Sequence, residues 1–121
     1  MPGVIAAVDD LFFGAKIQET AQRLNVPLRL VRSPEELAAQ ARASRPALVI
    51  FDLNATACRP LEAIRQLKAD PDLGSTPILG FFSHVQQELK AAAAEAGCDR
   101  IVARSAFTTE LPEILRRHAA G

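Results

Sequence analysis

An α/β fold, with an open parallel sheet of five strands covered by helices on both faces, is predicted from three observations. Five short apolar runs of strand length punctuate the 121 residues. Most of them read apolar at consecutive positions, which is the pattern of strands buried on both faces of a parallel sheet. The segments between them carry apolar residues at helical spacing, and strands alternating with helices over short connections build such a sheet.

The first run, Val4 to Val8, is followed by Phe13, Ile17, Ala21 and Leu24 on one stripe, with Lys16, Gln18, Glu19 and Gln22 off it. The second, Pro27 to Val31, leads into Ser33-Pro34-Glu35-Glu36. There Ser33 caps, Pro34 fits the first helical position and Glu36 returns to the N–H of the cap; Leu37, Ala38 and Ala41 supply the buried face. After the third run, Ala47 to Phe51, Pro60 opens a helix bearing Leu61, Ile64 and Leu67, and Asp70 to Gly74 turns the chain. The fourth run, Pro77 to Phe82, precedes a helix with Val85, Leu89, Ala92, Ala93 and Ala96 that closes at Gly97. Ile101 to Ala103 forms the last strand. The last helix is expected to begin near Thr109, because Pro112 lacks an N–H and is at ease only in a first turn; Ile114 and Leu115 then face inward. Residues 1–121 are expected to form one domain, without a linker or an internal repeat.

Lys plus Arg number 14 and Asp plus Glu 14, giving zero formal charge. That balance lacks the electrostatic footprint of a nucleic-acid or membrane-surface binder, which needs clustered cations facing phosphates. No apolar stretch reaches the ~18 residues of a membrane span, and the N-terminus lacks the basic start of a signal peptide, so a cytoplasmic location is expected. Cys58 and Cys98 are too few for a disulfide framework or a zinc site and read as small apolar fillers. Of the aromatic residues only Phe is present, at 12, 13, 51, 81, 82 and 107.

An open parallel sheet binds ligands beyond the carboxyl ends of its strands, where strand order reverses. Function is therefore expected at residues 9–13, 52–58, 82–85 and 104–107. The first strand ends in Val8-Asp9-Asp10 and the third in Phe51-Asp52-Leu53-Asn54. Side by side, these strands bring three carboxylates together, whose mutual repulsion calls for a cation; hard oxygen ligands of this kind suit Mg²⁺. Taken singly, Asp9 and Asp10 also read as helix caps and Asp52 as a turn residue. Three at adjacent strand ends favour a site.

This constellation resembles the receiver domain of two-component response regulators, over essentially the whole chain. The resemblance implies a flavodoxin-like (βα)5 fold with strand order 2-1-3-4-5. It implies that Asp9 and Asp10 hold Mg²⁺, that Asp52 accepts a phosphoryl group from a histidine kinase or phosphotransfer protein, and that the backbone carbonyl of Asn54 is a further metal contact. Two positions depart from the family pattern. A Ser or Thr that ends the fourth strand and hydrogen-bonds the phosphoryl group is replaced by Phe82, whose ring cannot donate; Ser83, one residue on, takes that role only if it points against the strand alternation. A Lys followed by Pro at the end of the fifth strand is replaced by Arg104-Ser105. A guanidinium is a planar fork where an ammonium is a point charge, so Arg104 either neutralises a phosphoryl group or clamps Asp52 permanently. The rotating aromatic of many receivers is Ile101 here, and the aromatic after the Lys-Pro pair falls on Ala106, with Phe107 packing the start of the last helix.

The leading reading is an atypical stand-alone receiver that is not an enzyme and signals through a downstream protein partner. The alternative is a phosphorylation-independent pseudo-receiver that docks or dimerises. A small phosphohydrolase with Asp52 as nucleophile has no general acid except His84, which as a loop histidine otherwise needs no role. A flavin site lacks a Trp or Tyr to stack on the ring and a phosphate cradle. His118 suits the C-terminal end of the last helix as a cation. The resemblance places dimerisation or docking on the surface of the fourth helix, fifth strand and fifth helix, through Gln86, Gln87, Lys90, Arg100 and Arg116.

Overall fold

Each apolar run becomes a strand, and every strand pairing is parallel. The computed structural model describes residues 3–83 and 86–119. Its sheet comprises β1 (Val4–Ala7), β2 (Leu28–Val31), β3 (Leu48–Asp52), β4 (Ile78–Phe82) and β5 (Arg100–Ala103) in the order β2-β1-β3-β4-β5. Between them run α1 (Leu11–Arg23), α2 (Pro34–Ser44), α3 (Pro60–Ala69) and α4 (Gln87–Ala96), with α5 (Arg104–Ala119) at the end. This is the predicted (βα)5 order, and it puts the reversal of strand order between β1 and β3.

Alternate residues of each strand enter different cores, which is why the runs are apolar throughout. Val4, Ala6, Leu48, Ile50, Leu79 and Phe81 meet Phe13, Ile17 and Ala21 of α1 and Leu111, Ile114 and Leu115 of α5. On the opposite face, Ile5, Ala7, Val49, Phe51 and Ile78 meet Leu37 of α2, Ile64 and Leu67 of α3 and Ala93 of α4. In α4, Ala93 is the buried residue; Leu89 and Ala96 pack only at the margin, and Val85 lies outside the described residues. No helix among the described residues is long and apolar enough to cross a membrane.

Local signals hold with two corrections. Ser33 accepts from the N–H of Glu36 at 3.1 Å and Pro34 opens α2. Glu36, however, accepts from the N–H of Arg32 at 2.8 Å and not from that of the cap, so the reciprocal bond fastens the chain one residue earlier.

The second correction is larger: α5 begins at Arg104, directly after β5, and carries Pro112 in its interior. Phe107 and Leu111 lie one helical turn apart and are 0% and 3% exposed. Burying two such side chains contributes about 3–6 kcal/mol, which offsets the ~3 kcal/mol cost of an interior proline. Pro112 leaves the carbonyl of Thr108 without its helical donor. One turn earlier, Thr108 and Thr109 donate their hydroxyls to the carbonyls of Arg104 and Ser105 at 2.9 and 3.1 Å. His118 lies in the last turn of α5, as expected; burial pushes its pKa down, opposed by a bond with the Ala47 backbone.

Candidate functional site

The carboxyl edge of the sheet is aligned by register. Ala7 pairs with Phe51, Asp52 with Phe81, and Phe82 with Ala103, so the chain ends of β1, β3, β4 and β5 open onto one surface. Asp52 terminates β3 and is 7% exposed. Its Oδ1 accepts from the N–H of Asn54 at 3.0 Å. Burial raises its pKa above the ordinary carboxylate value; the Asn54 N–H and Arg104 oppose this, and Asp9 and Asp10 add to it.

Asp10 caps α1. Its Oδ1 accepts from the N–H groups of Phe12 and Phe13 at 3.0 and 3.1 Å, and its Oδ2 lies 3.5 Å from a terminal nitrogen of Arg104. The Phe13 N–H, above all, holds its carboxyl below the ordinary value. Asp9 accepts from the N–H of Ala57 at 3.3 Å, linking the end of β1 to the loop after β3.

The three carboxylates thus share a surface without forming one cage. Among the described residues no three His, Cys, Asp or Glu side chains stand close enough to enclose a metal. The physical reason is visible at Asp10, both of whose oxygens are committed, to the helix cap and to Arg104. The donor set still fits a hard divalent cation, because Mg²⁺ keeps several waters and needs one or two carboxylates, and Asp52 stands buried near the like charges of Asp9 and Asp10.

Arg104 does not clamp Asp52. Its guanidinium lies 3.9 Å over the ring of Phe13 and donates to Ser83 Oγ at 3.3 Å. Sequence reasoning missed this arrangement, and the start of α5 at residue 104 is what positions it. Ser83 lies just beyond β4 and is exposed, so strand alternation no longer dictates its direction. Its N–H donates to Asn54 Oδ1 at 2.7 Å. Asn54 therefore binds Asp52 through its backbone N–H and Ser83 through its side chain, two contacts the sequence did not point to.

Phe82 is half-buried at the end of β4, and Ile101 is half-buried against the α3–α4 side of the sheet. His84 lies outside the described residues. The phenylalanines divide by role: Phe13, Phe81 and Phe107 cluster beneath Arg104, Phe51 fills the opposite core, and Phe12 is 91% exposed. Cys58 is buried, and burial together with Asp9 and Asp52 pushes its thiol up to about 11, which leaves it inert as a thiolate.

No protein-family model matches the chain, and no curated protein matches it. Solved structures do. The chemotaxis response regulator CheY4 of Vibrio cholerae aligns over 98% of both chains with a TM-score of 0.82 and 20% identity. The receiver domain of the sensor histidine kinase PA1611 from Pseudomonas aeruginosa, with a magnesium ion in its active-site cleft, aligns over 99% of this chain and 98% of that one (TM-score 0.84, 18% identity). The phosphorylated cyanobacterial phytochrome response regulator RcpA aligns over 96% and 89% (TM-score 0.79, 23% identity). At these identities the likeness is one of architecture: the chain has the CheY-like receiver fold of response regulators.

Proposed function

We propose that this chain is an atypical receiver domain in two-component signalling, with Asp52 as its phosphoacceptor. The observation that carries the reading is Asp52 itself, a carboxylate 7% exposed at the end of the central strand β3, with acidic neighbours just beyond β1 and a guanidinium on α5. Such placement supports phosphoryl transfer, which is chiefly positioning and charge neutralisation. An Oδ of Asp52 forms the bond to phosphorus, and the bond from phosphorus to the donor's nitrogen or oxygen breaks with its electron pair leaving on the donor. The backbone N–H of Asn54 orients the attacking carboxylate, while Arg104 and Ser83 stand on the α5 and β4 side as donors to phosphoryl oxygens. Asp9, Asp52 and the Asn54 carbonyl would hold Mg²⁺, with Asp10 completing the set once released by Arg104. The ion supplies neutralisation of the phosphoryl charge.

In this reading the donor is a histidine kinase or phosphotransfer protein and the output passes to a protein partner. Gln86, Gln87, Lys90, Arg100 and Arg116 are all exposed, which supports docking or homodimerisation on the α4–β5–α5 surface. A second reading, the pseudo-receiver that needs no phosphate, is favoured by the Asp10–Arg104 pair and by Phe82 at the hydroxyl position. Mass spectrometry after incubation with acetyl phosphate and Mg²⁺ separates the two. Stoichiometric addition of one phosphoryl group, lost in Asp52→Asn, is expected; an unmodified wild-type chain would assign the pseudo-receiver role.

A further inference from the structure

We propose that Arg104, seated on the ring of Phe13, is a resident cation that competes with a divalent metal for Asp10, which makes Phe13 a positioning residue that sets metal affinity. The inference rests on the metal-assisted reading above.

The geometry around Asp10 carries it. One carboxylate oxygen is fixed by the N–H groups of Phe12 and Phe13, so the side chain cannot turn away without uncapping α1, which costs about 1 kcal/mol. The other oxygen is the one that Arg104 faces, at 3.5 Å. Asp10 therefore offers a free oxygen to an incoming cation only when Arg104 withdraws. Withdrawal is open to it, because the Arg104 side chain is 38% exposed.

What opposes withdrawal is the seat. The guanidinium carbon lies 3.9 Å from the centroid of the Phe13 ring, a cation–π contact to which the planar guanidinium adds face-to-face stacking. The ring is itself immobilised: Phe13 is 6% exposed, with centroids 5.1 Å from Phe81 and 5.9 Å from Phe107, and those two stack at 4.6 Å. A rigid aromatic platform thus holds a planar cation against a capped carboxylate. A lysine at position 104 would keep the charge and lose both the fork and the planar stacking on the ring.

The test uses the full chain, titrated with MgCl₂ and with MnCl₂ by calorimetry, alongside NMR of the Arg104 Nε–Hε group. In the wild type the Arg104 signal is expected to be displaced by the Phe13 ring current and to lose that displacement as metal is added. Arg104→Lys and Phe13→Leu both keep the net charge, and each is expected to bind metal roughly two- to fivefold more tightly. If Phe13→Leu does not fold, as judged by circular dichroism, Arg104→Lys and the wild-type NMR titration decide. Unchanged or weaker affinity in the charge-conserving variants overturns the proposal, as does saturation with metal that leaves the Arg104 signal in place. Either result leaves the acceptor role of Asp52 standing, since that is read separately by mass. No metal binding in any variant overturns this inference and the metal part of the proposed function together.

Discussion

The backbone N–H of Ser83 donates to Oδ1 of Asn54 at 2.7 Å, tying the end of β4 to the turn that follows Asp52. Because the N–H of Asn54 also orients the Asp52 carboxylate, one residue anchors both the candidate nucleophile and the segment beyond β4. Asn54→Ala is expected to cost about 1 kcal/mol of stability, measured by chemical denaturation. It should also speed exchange of the Ser83 amide hydrogen selectively; an amide that stays as protected as in the wild type would mean that β4 alone fixes this segment.

Asp52 makes the folded state less stable when ionised. Burial and its acidic neighbours raise its folded-state pKa above the unfolded value, so the folded chain binds that proton more tightly. The stabilisation this gives is full below the unfolded value and is lost as pH rises through the raised folded pKa. Asp52→Asn removes the buried charge, and its expected gain at pH 7 is about 1 kcal/mol, or about 3–5 °C in Tm; the gain shrinks as pH falls through the raised folded pKa and is gone below about pH 4. Thermal melts of both proteins across pH 3–8 check the sign. Asp10 runs the other way: its pKa is lowered, so its contribution is present above the unfolded value and is lost as pH falls through the lowered one.

The strands were legible because two-sided burial imposes a continuous apolar run, and each strand lies within one residue of its run at either end. The carboxylates were legible for a related reason: parallel strands in this order end on one edge. What the sequence could not show was which charges pair. Arg104 and Asp10 are brought together by the start of α5, and the interior proline of that helix argued for a later start; only the burial of Phe107 and Leu111 decides between them. The face contact of Arg104 on Phe13 likewise depends on the orientation of a ring that Phe81 and Phe107 hold in place, and no residue spacing encodes that.

Gly80 is a place where close packing decides the residue. A Cβ on this β4 glycine would lie 2.9 Å from Leu53 Cδ1 and 3.1 Å from Cys98 Sγ, inside van der Waals contact. Leu53 is buried immediately after Asp52, so its displacement would disturb the turn that orients the Asp52 carboxylate. Gly80→Ala is expected to destabilise by about 1–3 kcal/mol through overpacking, and a double variant with Leu53→Ala should recover part of that loss. Equilibrium denaturation of the single and double variants measures the coupling; strictly additive effects would show that the two side chains do not contend for the same space.

The question of which residue supplies the hydroxyl can be answered by substitution. Phe82 occupies the expected position and has no donor, whereas Ser83 Oγ accepts from Arg104 at 3.3 Å and lies outside the alternation of β4. If the hydroxyl of Ser83 serves the phosphoryl group, its loss removes one hydrogen bond of about 1 kcal/mol, which corresponds to about fivefold in rate. Ser83→Ala is therefore expected to slow modification of Asp52 by acetyl phosphate about fivefold, while Phe82→Leu leaves it within about twofold. Quenched time courses read by mass spectrometry give both rates. The reverse order would return the role to position 82, where a side chain without a donor can influence the reaction only through packing, and would reduce Ser83 to a partner of Arg104.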